Sequence, residues 1–381
     1  MAEAIKDIYS IPFFQRFSQD LQLVVDGVQP EYFITHVMDE AWEDLAYKQR
    51  TRLIAQVLHR VLPGDYPQAI AKLLNLLDLI KDRFPDFSLI DDKNFQLLAL
   101  EYGAVLDSYV EQYGLDDYET SVRAIEKITQ FTSCEFCVRP FIMRYPEQMM
   151  QQMLDWAQHP HWAVRRLASE GCRPRLPWGM ALSPLKADPA PILPILVQLK
   201  TDPSRFVRLS VANNLNDIAK DNPQIVLQLA QQWYGESPEV DWLLKHGCRT
   251  LLKQGNPELM ALFGFDTELQ DLQVTALEIA SLQVRVGEAL EFQFALMNHR
   301  DAARKIRLEY AIYYQKAKGN LAKKVHKISE KVYLGNTRTE INRKHAFRVV
   351  TTRQLHLGLH QVSLIINGQE FERYDFELIA P

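Results

Sequence analysis

The sequence predicts a mainly α fold class: a HEAT-like α-solenoid followed by an Ig-like β-sandwich domain. Three observations carry the prediction. Apolar residues recur at three- and four-residue steps through the first part of the chain, the spacing that lines one face of a helix. His-Pro-His-Trp-Ala-Val-Arg-Arg (159–166) and Asp-Pro-Ser-Arg-Phe-Val-Arg-Leu (202–209) share a proline start followed by Val-Arg, with Val164 and Val207 43 positions apart. That period is the one expected of stacked HEAT-like helical pairs. Around residues 265–275 the pattern changes to the period-two alternation of strands. Residues 1–268 are therefore expected to form the helical repeat domain and residues 269–381 the sandwich.

Taken in order, Phe13, Phe14, Phe17 and Leu21 trace the first apolar helical face, and Leu53, Val57, Leu58 and Val61 a second. Pro63-Gly64-Asp65 breaks the chain, with Asp65 as N-cap and Pro67 inside the next first turn. Gly114, Asp116 and Asp117 mark another boundary, and Thr132-Ser133 precedes a further helix start. A third, weaker repeat copy runs from Trp242 to Leu252, and Asn256-Pro257 after it echoes Asn222-Pro223. In the last part, strands are expected at Leu282–Val286, Leu290–Phe294, Leu308–Tyr314, Val332–Leu334, Phe347–Val350 and Val362–Ile366. Gly287, Asn298-His299-Arg300, Gly319-Asn320, Gly335-Asn336 and Asn367-Gly368 separate them. About seven short strands over roughly 110 residues is the pattern of an immunoglobulin-like sandwich.

Composition is that of an ordinary soluble globular protein, at 47% hydrophobic and 24% charged residues. The net charge of −5 does not mark a nucleic-acid binder, but it hides an asymmetry. Asp271 to Pro381 carries 17 Lys+Arg against 12 Asp+Glu, and within it Asp301 to Arg353 holds 14 basic and 4 acidic residues. A basic module follows an acidic body. The 4 cysteines are too few for a disulfide scaffold. The start, MAEAIKDIYS, has no hydrophobic signal core, and the longest apolar run, Ala69 to Ile80, is broken by Lys72 and Asp78. A reduced, soluble, intracellular protein with no membrane partner is the expectation.

The stretch His161 to Trp178 concentrates the chemistry. Trp162, Val164, Leu167 and Ala168 line one side of a helix, while Arg165, Arg166 and Glu170 fall on neighbouring faces. Arg173-Pro-Arg-Leu-Pro-Trp178 then ends the helix in a stiff turn, because proline has no N–H and pushes its predecessor out of the α region. One carboxylate, several guanidiniums and an aromatic ring thus share a short segment. Each has a plain alternative: Glu170 pairs with Arg166 at i, i+4, Glu135 complements a helix dipole, and Trp178 packs between helices. Cys134 and Cys137 have metal-ligand spacing, but no second such pair or histidine pair completes a site, and packing is the simpler reading. No metal and no cofactor are expected.

Three segments, SCEFCVRPFI (133–142), VRRLASEGCRPRLPW (164–178) and VRLSVANNLNDIAKDNP (207–223), resemble the AlkC-type bacterial alkylpurine DNA glycosylases, HEAT-like relatives of AlkD. The likeness covers about residues 1–265, and some members carry a carboxy-terminal Ig-like domain. The resemblance implies removal of 3-methyladenine and 3-methylcytosine from double-stranded DNA without turning the damaged nucleotide into a pocket. It also implies that Glu135, Glu170, Asp217 and Trp178 are catalytic, and that Arg166 and Arg173 face DNA. Arg139, Arg165 and Arg208 join them on the expected concave, DNA-binding side. In the sandwich, Lys316, Lys318, Lys323, Lys324 and Lys327 surround Gly319-Asn320 in an expected loop; Lys318, Lys323 and Lys324 are expected to meet phosphates. A cytoplasmic, nucleoid-associated monomer of a bacterial cell is expected.

These residue types suit that chemistry. Methylation at N3 makes the base cationic and already a good leaving group, so it need not be protonated. Breaking the N-glycosidic bond builds positive charge on the deoxyribose, which fixed carboxylates stabilise while orienting or deprotonating water. A tryptophan face excludes water along the sugar, and guanidiniums clamp phosphates. Which carboxylate holds the water stays open at this stage. The rival expectation is a non-catalytic HEAT-repeat scaffold that binds DNA or protein.

Overall fold

The computed structural model describes residues 5–83, 93–349 and 354–381. It divides into two compact units, Met1–Asn222 and Pro223–Pro381. The first unit is helical: α1 (Ile11–Gln22), α2 (Tyr32–Val37), α3 (Tyr47–His59), α4 (Tyr66–Asp82), α5 (Lys93–Tyr113), α6 (Tyr118–Thr129), α7 (Val138–Arg144), α8 (Pro146–Trp156), α9 (Trp162–Gly171), α10 (Ser183–Ala187), α11 (Leu193–Leu199) and α12 (Arg205–Ile218). The second holds α13 (Pro223–Trp233), α14 (Pro238–Gly247), α15 (Arg249–Lys253) and α16 (Pro257–Leu262), then the strands. Among the described residues, no helix is long and apolar enough to cross a membrane.

Local signals place the helix boundaries. Asp65 caps α4 by accepting from the Gln68 N–H, with Pro67 in the first turn, and Asp117 caps α6 by accepting from the Thr120 N–H. The predicted helix of the Trp162 stretch is α9, capped by His161. After Thr132-Ser133 the chain makes a turn first, and α7 begins only at Val138. The apolar stripes face inward: Phe14 and Phe17 of α1 meet Phe33 of α2, Phe14 also meets Trp42, and Phe13 packs on Phe14 and Phe17, all essentially inaccessible. The two repeat copies, α9 and α12, pack against each other, and α9 also packs on α8 and α11.

In the second unit, β1 (Leu272–Val274), β2 (Glu278–Ile279) and β7 (Thr337–Ala346) all pair antiparallel with β4 (Ala289–Asn298). The facing sheet runs β3 (Gln283–Arg285), β9 (Gln369–Ile379), β8 (Gly358–Ile366), β5 (Arg304–Gln315), β6 (Leu321–Tyr333), antiparallel except for the β3–β9 pair. Leu290, Phe292, Phe294, Ile306, Ile312 and Val362 fill the space between. Asn367 and Gly368, both with positive φ, form the tight turn joining β8 to β9. Lys245 of α14 ties the helices of this unit to the sandwich by pairing with Glu330 of β6, which Arg307 in turn links to buried Glu309.

Two strand expectations need correcting. Phe347–Val349 is not a strand: Phe347 is a fully buried plug at the end of β7, and Val350 lies outside the described residues. Lys323, Lys324 and Lys327 do not sit in a loop. The loop after β5 is short, so these lysines already belong to β6; Lys316 and Lys318 remain in the loop.

Candidate active site

A cleft of about 550 Å³ opens in the first unit between α3, α5, the turn before α7 and the turn after α9. Glu135, Glu170, Arg173 and Trp178 line it, together with Lys48 and Asp107. Residues spread over some 130 sequence positions thus meet in one place, because stacked helices return each turn to the same side.

The carboxylates are held, not loose. Glu135 Oε2 accepts from Ser133 Oγ at 2.7 Å and from Arg166 Nη1 at 3.1 Å. Glu170, almost wholly buried, takes Arg173 Nη1 on one oxygen at 2.6 Å and Ser210 Oγ on the other at 2.7 Å. Arg173 then reaches through its Nε to Asp217 at 2.8 Å, and Lys220 bonds the second Asp217 oxygen at 2.9 Å. Asp217 is only 1% exposed and does not line the cleft. It stands behind Arg173 and fixes the guanidinium that fixes Glu170. Buried ion pairs repay their desolvation only when such networks are complete, and removal of one member leaves a stranded charge.

Trp178 occupies the lip. Its side chain is 73% exposed, and its backbone φ of 62° puts a non-glycine residue in the left-handed region. A conformation of that kind costs about 1–3 kcal/mol and persists only where the surroundings impose it. They do so on both flanks. The Gly179 N–H closes a turn onto the Leu176 carbonyl at 3.1 Å, and Arg139 Nε donates to the Met180 carbonyl at 2.5 Å. Lys48 Nζ donates to the Trp178 carbonyl itself at 2.5 Å.

On the floor, Asp107 of α5 accepts from the backbone N–H of Cys137 at 3.1 Å and so anchors the turn that carries Glu135. Burial pushes its carboxyl up to about 7, aided by Glu111 and Glu135 and opposed by the bonds from Cys137. Desolvation likewise lowers the Lys48 ammonium, against the pull of Glu111, Asp107 and Glu135. Asp107, Cys134 and Cys137 bring one ligand atom each within 4.8 Å of one another, all buried. Two thiols and a carboxyl are one donor short of the four that close a structural zinc site, and Asp107 is the third group that the Cys134–Cys137 spacing did not reveal.

A family model described as DNA alkylation repair enzyme matches residues 91–249. A second, described as the C-terminal Ig-like domain of the uncharacterised protein YhaZ, matches residues 273–380. YhaZ of Bacillus subtilis (strain 168) is 38% identical over 374 residues, which cover 98% of this chain and 99% of YhaZ. The solved structure of Pseudomonas fluorescens alkylpurine DNA glycosylase AlkC, bound to DNA containing an abasic site analog, is 33% identical. It covers 99% of this chain and 100% of its own, with a TM-score of 0.89. The chain belongs to the AlkC-type DNA glycosylase family. It is accordingly an enzyme of DNA alkylation repair.

Within this AlkC-type site the structure sorts the arginines differently from the sequence. Arg166, 27% exposed, reaches the cleft carboxylate Glu135, and Arg173 lies buried between Glu170 and Asp217. Arg139 is a correction: it is wholly buried, and its guanidinium donates to the carbonyls of Met180 and Gly171, where burial lowers it to about 10. Arg165 and Arg208 are engaged within the protein as well. Arg165 folds back onto the His159 and Pro160 carbonyls and forms a bidentate pair with Asp202. Arg208 folds back in the same way onto the carbonyls of Asp202 and Pro203. Both guanidiniums are spent on the loops before their own helices. Lys318 and Lys324 are exposed, and Lys323 pairs with Glu370 at 2.7 Å. Sequence reasoning missed Lys48, Asp107, Ser133 and Ser210. Asp107 carries a faint signal, an acid between Leu106 and the apolar Tyr109-Val110 pair; Lys48 carries none.

Proposed function

We propose that this enzyme hydrolyses the N-glycosidic bond of cationic N3-alkylated bases, 3-methyladenine and 3-methylcytosine, in double-stranded DNA, as the first step of base excision repair. The observation that carries the reading is the meeting of Glu135, Glu170 and Trp178 in one cleft, in a chain one-third identical over its whole length to a glycosylase solved with abasic DNA. The departing base is already cationic, so the residues need to serve only the sugar. Glu135 and Glu170, immobilised by Arg166, Arg173 and two hydroxyls, present negative charge that requires no reorganisation as the oxocarbenium ion develops. Glu135, at the more accessible position, orients the attacking water; Glu170 stabilises the sugar.

The Trp178 ring, held out at the lip, packs along the deoxyribose and keeps bulk water from the cation. Asp217 acts through Arg173. Arg166 on the rim and the exposed Lys318 and Lys324 of the sandwich contact phosphates, giving a salt-dependent share of affinity. The base stays in the stack during excision, a feature that rests on family membership. The protein works as a monomer in the bacterial cytoplasm, without metal or cofactor.

The test is incubation with N-methylated duplex DNA followed by chromatography for released 3-methyladenine and 3-methylcytosine. Glu135→Gln and Glu170→Gln, still folded, are expected to lose at least 100-fold in release, and Asp217→Asn less. Release at the wild-type rate by Glu135→Gln would remove the carboxylate mechanism. Tight binding to methylated DNA with no release by the wild type would leave a scaffold.

A further inference from the structure

The geometry points to Lys48 as a positioning residue of the glycosylase site, one that latches the exposed Trp178 in its left-handed conformation and ties it to the turn bearing Glu135. The inference deepens the reading above and rests on it for the reaction. Lys48 lies in the first turn of α3, far in sequence from both partners. Its Nζ donates to the Trp178 carbonyl at 2.5 Å and stands 3.5 Å from the centroid of the Phe136 ring. Phe136 immediately follows Glu135, so one ammonium touches both the lip and the acid-bearing turn. A cation over an aromatic face is attracted by the ring quadrupole, which fixes Nζ even at a partly wet site.

The arrangement answers a specific mechanical need. Trp178 gains little from packing, because most of its ring is in solvent. Its strained backbone must therefore be imposed by neighbours that hold the main chain. The turn from the Leu176 carbonyl to the Gly179 N–H brackets it, Arg139 holds Met180 beyond it, and Lys48 alone among the described residues is seen to hold the Trp178 carbonyl. Release of that carbonyl frees the residue to return to an ordinary φ, which swings the ring away from the cleft. A displacement of about 1 Å at a group that must meet the reacting centre is enough to cost up to 100-fold in rate. Lys48 needs to touch neither sugar nor base to have this effect.

Lys48→Met keeps the stem and removes the ammonium; Lys48→Arg keeps a cationic donor. Two readouts separate the roles. In protein labelled with 5-fluorotryptophan, with the Trp178 resonance assigned from Trp178→Phe, the ¹⁹F signal of Trp178 is expected to shift and broaden in Lys48→Met and to return towards the wild-type position in Lys48→Arg. Single-turnover excision from N-methylated duplex DNA is expected to fall at least 10-fold in Lys48→Met. Its Kd for DNA holding an abasic analogue should change less than threefold, and Lys48→Arg should recover most of the rate. An unchanged ¹⁹F signal in Lys48→Met overturns the proposal, as does a loss of excision carried wholly by Kd, which would make Lys48 a phosphate contact. Failure of the wild type to excise any base would instead overturn the glycosylase reading, with the ¹⁹F comparison still deciding what holds Trp178.

Discussion

Arg165 and Arg166 are neighbours on one helix and do unlike things. Arg165 turns back onto its own loop and the neighbouring repeat; Arg166 turns into the cleft and holds Glu135. The repeat explains the split. Arg165 recurs as Arg208 in the second copy and makes the same backbone contacts there, whereas the position of Arg166 is filled by Leu209. What the copies share builds the solenoid, and what one copy alone carries builds the site. Glu170 obeys the same rule, with Asn213 at its place in the other copy.

The strongest way to break this comparison is Arg173→Met, which strands Glu170 and Asp217 in a buried setting. It is expected to cost about 3–5 kcal/mol in chemical denaturation, taking activity with it. Arg166→Ala comes next: about 100-fold slower base release with less than about 1 kcal/mol lost in stability, since its pair is partly exposed. Equal losses of stability in Arg165→Ala and Arg166→Ala would erase the distinction. Arg165→Ala and Arg208→Ala are each expected to lower stability by roughly 1–2 kcal/mol through lost hydrogen bonds, with release per folded molecule retained.

The smallest effect tests the floor. The Asp107 carboxyl, raised to about 7 by burial, stays protonated in the folded state while the unfolded chain ionises, so wild-type stability declines as pH rises from about 4 to about 7. Asp107→Asn can still accept the Cys137 N–H and does not ionise. Its thermal midpoint should therefore gain on the wild type through that window, by a few degrees at pH 8, and the gain should level off above it. A pH-independent difference would show that Asp107 is ionised throughout.

The legible parts of the molecule were those where one residue type answers one physical demand. Asp65 reads as a cap and is one, Asp117 falls at a boundary the sequence marks and caps α6, and the apolar stripe of α1 is buried as its spacing required. Glu135 and Glu170 were legible through the family motifs. Strands with little apolar content were not. Thr337–Ala346 (β7) buries only Ile341 and His345, so its alternation is invisible to a hydrophobic pattern. Arginine direction was equally hidden, since Arg139, Arg165 and Arg166 look alike until the acceptors they bind are located. Lys48 shows the limit most clearly: its partners lie 88 and 130 positions away, and no local pattern encodes either.

The matched pairing of acids and bases in the cleft has an electrostatic corollary. Arg166, Arg173 and Lys220 match Glu135, Glu170 and Asp217 one for one, so seen from a Debye length away, about 8 Å in physiological salt, these six side chains add almost no net charge. A polyanion can approach them without the repulsion that three bare carboxylates would exert. Only a positive centre within bonding distance of the oxygens themselves would feel them as individual charges.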